Sequence, residues 1–265
     1  MQTPDIQNIL AELTRSIGEI PKEILTIAES GSARNYFRII TDNKSLIGTY
    51  SSNIEENEAF LTFSKHFHDL GLNVPEVFAV NEERTCYLQS DFGDDNLFAH
   101  VQKALMANVG PSTLRGASGI AGSGTFTSDS RFASLRGTKQ SRLDGPSMLR
   151  LCSATAGSGA LASYSDNVIE LYKKALSHLV KLQVLGHKGL DYSKAYPTER
   201  FDRQAIIDDL NYFKYYFVKP HEEIDFHETR LGKDFEAFAD FVSQAPCDFF
   251  MYRDFQSRNI MVKDV

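Results

Sequence analysis

The sequence is short of cysteine, of basic charge and of long apolar runs, and each shortage closes off a class of protein. Three cysteines, Cys86, Cys152 and Cys247, stand far apart in 265 residues. None sits in a Cys-x-x-Cys or Cys/His spacing, so no zinc site is indicated, and an odd count does not make a disulfide framework. Reduced thiols in a cytoplasmic protein are the expectation. Lysine and arginine number 28 against 35 acidic residues, a formal net charge of -7. That sign opposes general binding to nucleic acid or to anionic membranes, which both require a basic surface. No stretch reaches the ~20 apolar residues of a membrane span. Met1 to Ser16 has no apolar core run and does not read as a signal peptide.

What is present suffices for a real core: 42% of the residues are hydrophobic and 24% charged. Ile6, Ile9, Leu10, Leu13 and Ile17 recur at helical spacing. Strand-like runs follow at Ile24 to Ile27, Tyr36 to Thr41 and Ser45 to Tyr50, with Asp42-Asn43-Lys44 as turn chemistry between the last two. Glu55 to Leu70 reads as a helix with Phe60, Phe63 and Phe67 on one side and Gly71 as its stop. Val77 to Val80 and Cys86 to Gln89 are again strand-like. Beyond Asp91 the pattern becomes helical, at Asn96 to Leu105, Asn167 to Leu185, Arg203 to Phe217 and Phe235 to Val242, before a short buried strand at Phe249 to Tyr252. The expected fold class is α+β, with a sheet-plus-helix lobe over 1–91 and a mainly helical lobe over 92–265.

Residues 106–163 break this pattern. They hold nine of the 17 glycines, are dense in serine, threonine and alanine, and carry a local charge excess of +4. A stretch this long without apolar period reads as a disordered insertion. Its Gly-x-Gly pieces follow no strand and precede no Gly-Lys-Ser/Thr, so they do not make a phosphate loop.

Three motifs carry chemistry. In Tyr252-Arg253-Asp254-Phe255-Gln256-Ser257-Arg258-Asn259, an acid follows an apolar run and an amide follows it five residues later, just before another apolar run. Phosphoryl transfer to an alcohol needs a carboxylate to take the hydroxyl proton and an oxygen ligand for Mg²⁺, and one tight loop can supply both. Gly31, Ser32, Ala33, Arg34 and Asn35 lie between the first two strands, where small residues let backbone N–H groups approach phosphate oxygens. Gln89, Ser90 and Asp91 stand where the first lobe gives way to the second.

The order of loop, hairpin, helix, two strands, connector, helices and Arg-Asp-x4-Asn resembles the aminoglycoside phosphotransferase and small-molecule sugar kinase family, whose fold is protein-kinase-like. Gly-Leu-Asn-Val-Pro-Glu-Val at 71–77 also looks like that family's step from helix to strand. The likeness spans Glu29 to Leu105 and Asp166 to Val262 and skips the insertion. It implies an ATP-dependent phosphotransferase acting on a hydroxyl of a small molecule, such as a sugar or amino sugar. By the same likeness Asp254 would be the base, supported by Arg253, and Asn259 a Mg²⁺ ligand. Gly31 to Asn35 would cover the phosphates of ATP, and the backbone of Gln89 to Asp91 would read adenine. Glu58, or failing that Glu56, would be the helix glutamate that pairs with a strand lysine.

The chain departs from the family in three ways. Leu46-Ile47-Gly48-Thr49-Tyr50 offers no lysine, Tyr252 stands where the family usually has histidine, and a second metal-binding aspartate is expected beyond Val265. A chain without that aspartate is expected to be inactive or nearly so. The alternative reading is therefore a non-catalytic remnant or a nucleotide-binding pseudokinase. A protein kinase fits less well, because the long helical stretch before the Asp254 loop favours a small-molecule kinase. Limited trypsin digestion of the native protein should cut first within 106–163. First cleavage elsewhere would contradict the insertion.

Overall fold

The computed structural model describes residues 3–27, 34–108, 149–153 and 164–264. It is an α+β protein built on a five-stranded antiparallel sheet with several helices. Helix α1 (Thr3–Ser16) precedes strands β1 (Glu23–Ile27), β2 (Asn35–Ile40) and β3 (Ser45–Tyr50). Helix α2 (Ile54–Asp69), strands β4 (Val77–Val80) and β5 (Cys86–Ser90) and helix α3 (Leu97–Asn108) follow. Then come β6 (Leu149–Ser153), α4 (Tyr164–Val184), α5 (Arg203–Phe213), α6 (Glu228–Val242) and β7 (Ile260–Asp264). The sheet order is β1-β2-β3-β5-β4.

Local chemistry sets these boundaries. The β2–β3 turn closes where the Thr41 amide donates to the Lys44 carbonyl, at 3.0 Å. Helix α2 starts at Asn53, whose side chain accepts from the Glu56 amide at 3.2 Å, and stops before Gly71, at φ +71°. Asp202 caps α5 by accepting from the Ala205 amide at 3.1 Å. Helix α5 then runs into a π-helical turn, Lys214–Val218.

Alternation along β5 sorts side chains between two layers. Cys86 and Leu88 join Ile6 and Leu10 of α1 in one core. Tyr87 points to the other face, against Phe60 and Leu61 of α2. Gly48 lets α1 approach that closely, since a Cβ there would lie 2.7 Å from Leu10. Farther along α2, Phe63 and Phe67 enter a second core with Leu97, Leu171, Phe250 and Ile260. Helix α2 thus joins the cluster around Tyr87 to this second core. Among the described residues no helix is long and apolar enough to cross a membrane.

Two expectations meet a different structure. Phe249 to Tyr252 is not a strand: Phe250 is buried between exposed Phe249 and Met251, but among the described residues no backbone pairs with it. The alternation reports burial without a ladder. Within 106–163, α3 extends to Asn108 and β6 runs parallel to β7, from Leu149 opposite Ile260 to Ser153 opposite Asp264. The rest of that segment lies outside the described residues. Deleting 109–148 should therefore leave the thermal unfolding midpoint nearly unchanged, whereas deleting 106–163 removes the partner of β7 and should lower it by several degrees. Equal midpoints for the two deletions would contradict a structural role for β6.

Candidate functional site

Gly31, Ser32 and Ala33 lie outside the described residues, but Arg34 and Asn35 do not. Asn35 opens β2 opposite Tyr50. Arg34 turns inward and is 2% exposed. Its guanidinium meets the Glu56 carboxylate at 3.2 Å, the Glu56 carbonyl at 3.3 Å and the Tyr87 hydroxyl at 3.2 Å. The Phe60 ring lies beside it, 5.6 Å to the centroid. Burial works against the Arg34 charge, but Tyr87, Tyr36 and Glu56 outweigh it and hold the group above its usual range.

The helix glutamate in this pair is Glu56. Glu58 sits near the surface, 2.7 Å from Arg84. The signal was present in the sequence. Glu56 precedes Phe60, Phe63 and Phe67 by four, seven and eleven residues, which puts it on the buried face of α2, while Glu58 lies about 200° away from it.

The second half of the site is the loop from Tyr252 to Asn259. Arg253 pairs with Asp209 of α5 and lies over the Phe201 ring at 4.7 Å, which ties the loop to the helices. The Asp254 carbonyl accepts from the Gln256 amide at 2.8 Å and from the Asn259 side-chain nitrogen at 3.0 Å. Arg258 lies over the Phe98 ring of α3 at 4.5 Å. The Asn259 side-chain nitrogen is thus engaged with the backbone of its own loop, and its amide oxygen is an acceptor. Sequence reasoning did not single out Asp209, because only the fold brings α5 to this loop.

Arg34 and Asp254, far apart in sequence, line one cleft. Its walls are mainly apolar, from Phe60, Phe63 and Phe67 of α2 and from Phe250 and Met251 before the loop. Such a concave site with a few convergent polar groups is the usual form of a ligand pocket.

The connector is arranged differently. The Ser90 amide donates to the Glu76 carbonyl at 3.0 Å, and Gln89 is paired with Ile47 and Val77 inside the sheet. Asp91 accepts from Arg38 at 2.8 Å, from the Ser45 hydroxyl and from the Gly93 amide. Burial pushes the Asp91 carboxyl up, but Ser45, Gly93 and Arg38 outweigh it and leave it below the usual carboxylate range. These groups lock β2, β3 and the connector together. Lys44 is engaged with Glu19 at 3.7 Å and with the Phe78 ring at 4.7 Å, so it does not substitute for a lysine of β3.

Among the described residues no group of three or more histidine, cysteine, aspartate or glutamate side chains could hold a metal ion. Asn259 alone would offer one neutral oxygen ligand, which would suit only an ion that keeps several waters and takes the rest of its ligands from phosphates, as Mg²⁺ does. No family model matches the chain, and no curated protein matches it.

Removing one partner of a buried ion pair leaves an uncompensated charge, at a cost of about 3–5 kcal/mol. Glu56→Gln should therefore lower stability to urea by that amount, while Glu58→Gln, at a half-exposed pair, should change it by less than about 1 kcal/mol. Equal losses in the two variants would contradict the assignment.

Proposed function

We propose that this chain is an ATP-dependent phosphotransferase acting on a hydroxyl group of a small molecule. Its organisation would be that of a two-lobed, protein-kinase-like fold, with the nucleotide lobe over 1–91 and the acceptor lobe over 92–265. The observation that carries this reading is the shared cleft, lined both by a buried cation anchored on a helix glutamate and by Asp254, the first residue of the Asp-x4-Asn stretch. The likeness of its motifs to small-molecule kinases points to a sugar or amino sugar as acceptor.

In this reading Asp254 orients the acceptor hydroxyl and takes its proton as the hydroxyl oxygen bonds to the γ-phosphorus. The bond from that phosphorus to the bridging oxygen breaks, and its electron pair leaves with ADP. Asn259 offers its amide oxygen to the cation. Bound Mg²⁺ would neutralise charge on the triphosphate oxygens. Arg34, just before β2, would pair with the helix glutamate as a strand lysine does elsewhere. Arg253 keeps the Asp254 backbone in place through Asp209.

A second reading is a nucleotide-binding protein without transferase activity. It is favoured by a β3 that carries no lysine and by the small number of acidic ligands. One set of measurements separates the two. ATP should raise the melting temperature in a Mg²⁺-dependent manner, and Asn259→Ala should weaken that dependence. Transfer from ATP to N-acetylglucosamine or N-acetylmuramate should fall at least about 100-fold in Asp254→Asn while nucleotide binding persists. Binding without transfer in the unaltered chain would favour the second reading. No nucleotide-dependent stabilisation at all would overturn both.

A further inference from the structure

Arg38 stands in the middle of β2 and turns away from α1. Its neighbours Phe37 and Ile39 are buried in the core that holds Ile6 and Leu10, and alternation along the strand sends Arg38 to the opposite face of the sheet. There its guanidinium places all three nitrogens on the connector after β5. Nε donates to Asp91 Oδ2 at 2.8 Å and Nη1 to Asp94 Oδ2 at 2.8 Å. Nη2 donates to Asp94 Oδ1 at 2.8 Å and to Asp91 Oδ1 at 3.3 Å. A planar fork that holds two carboxylates at once fixes the orientation of the segment between them as well as its position. The two acids differ in surroundings: the Asp91 side chain is 6% exposed and the Asp94 side chain 80%. An ion pair as exposed as the second adds little to stability. What it adds is orientation.

The same connector is held from the other side by β7. The Val262 amide donates to the Asp95 carbonyl at 2.8 Å, Asn96 bridges Met261, and the Lys263 ammonium reaches the Asp91 carbonyl at 3.5 Å. Asn96 also caps α3, accepting from the Ala99 amide at 2.9 Å. Residues 91–96 are thus gripped by β2 and β3 at one end and by β7 at the other. Strand β7 begins at Ile260, directly after Asn259. We propose that Arg38 is a positioning residue: by clamping Asp91 and Asp94 it holds the connector, and through the connector it holds β7 and Asn259 in place against the five-stranded sheet. This rests on the phosphotransferase reading for the part Asn259 plays, as a ligand of the cation. Arg38 does not line the cleft of Arg34 and Asp254, so its effect there passes through this chain of contacts. Such a chain carries coupling only if a change at one end alters the other.

The test has a ligand-free arm and a nucleotide arm, both on the whole chain. In amide hydrogen exchange, Arg38→Gln should speed exchange at Val262, whose amide donates to the connector, about 10-fold. The Leu72 amide, which donates to the Phe67 carbonyl at the end of α2 at 3.0 Å, should be unchanged. A general loss of stability would speed both. Asp94→Asn, at the exposed half of the clamp, should act in the same direction but less, and reads the same link if Arg38→Gln folds poorly. With ATP present, Arg38→Gln should raise the Mg²⁺ concentration needed for half of the thermal stabilisation about fivefold. Adding Arg38→Gln to Asn259→Ala should raise it no further than Asn259→Ala alone, because Arg38 acts through Asn259. Unchanged exchange at Val262 would overturn the proposal whether or not ATP binds. Equal acceleration at Leu72, or additive effects of the two substitutions, would also overturn it. Faster exchange at Val262 alone, with no stabilisation of the unaltered chain by ATP, would support the clamp and overturn the phosphotransferase reading instead.

Discussion

The buried pair of Arg34 and Glu56 constrains the rest of this structure. Two charges taken out of water cost several kcal/mol each, and their attraction offsets this only when the remaining donors and acceptors are satisfied. Here the Tyr87 hydroxyl, the Glu56 carbonyl and the Phe60 face supply the additional contacts. Satisfying the guanidinium fixes the entry to β2 against the first turns of α2 and against β5. It also fixes the rotation of α2, and with it the direction in which Phe63 and Phe67 point. Those two rings pack edge-on against Phe250, at 6.2 and 4.9 Å between centroids. Phe250 stands four residues before Asp254. The position of the acidic loop is therefore coupled to the buried cation through α2, and the cleft between them is a consequence of that coupling.

Much of the fold was legible because its signals were local. Asn53 and Gly71 bracket α2, Asp42-Asn43-Lys44 marks the β2–β3 turn, and the apolar period of α1 and α4 is unambiguous. What was not legible depended on distant partners. Phe249 to Tyr252 alternates like a strand, yet pairing requires a neighbouring backbone, and nothing in a short apolar run reports whether one is there. Strand β6 lay hidden for the opposite reason. Its five residues sit in a Gly/Ser-rich stretch, and only β7, far along the chain, makes them a strand. The π-helical turn at Lys214–Val218 has no simple sequence mark. At the site, the spacing of Asp254 and Asn259 was legible, but the choice between Glu56 and Glu58 required following the helical face rather than a family position.

The electrostatic character of the site follows from how few acids it holds. A cluster of carboxylates would bind a divalent ion without help from substrate. An amide oxygen beside a single carboxylate binds one weakly, since a hard cation prefers anionic oxygen. Under the proposed function an ion would therefore arrive together with the nucleotide, with phosphate oxygens completing the coordination. The buried Arg34 charge, already neutralised by Glu56, ties the start of β2 to α2 and β5.

The most direct test of this account is paramagnetic broadening of backbone amide resonances by Mn²⁺, with and without ATP. Mn²⁺ has the ligand preferences of Mg²⁺ and broadens signals within roughly 10–15 Å. The account predicts that Mn²⁺ with ATP broadens the amides of Asp254 to Ile260 together with those of Arg34 and Asn35, and that Mn²⁺ alone at the same concentration does so far more weakly. Broadening confined to other parts of the chain, or equal broadening without ATP, would contradict it.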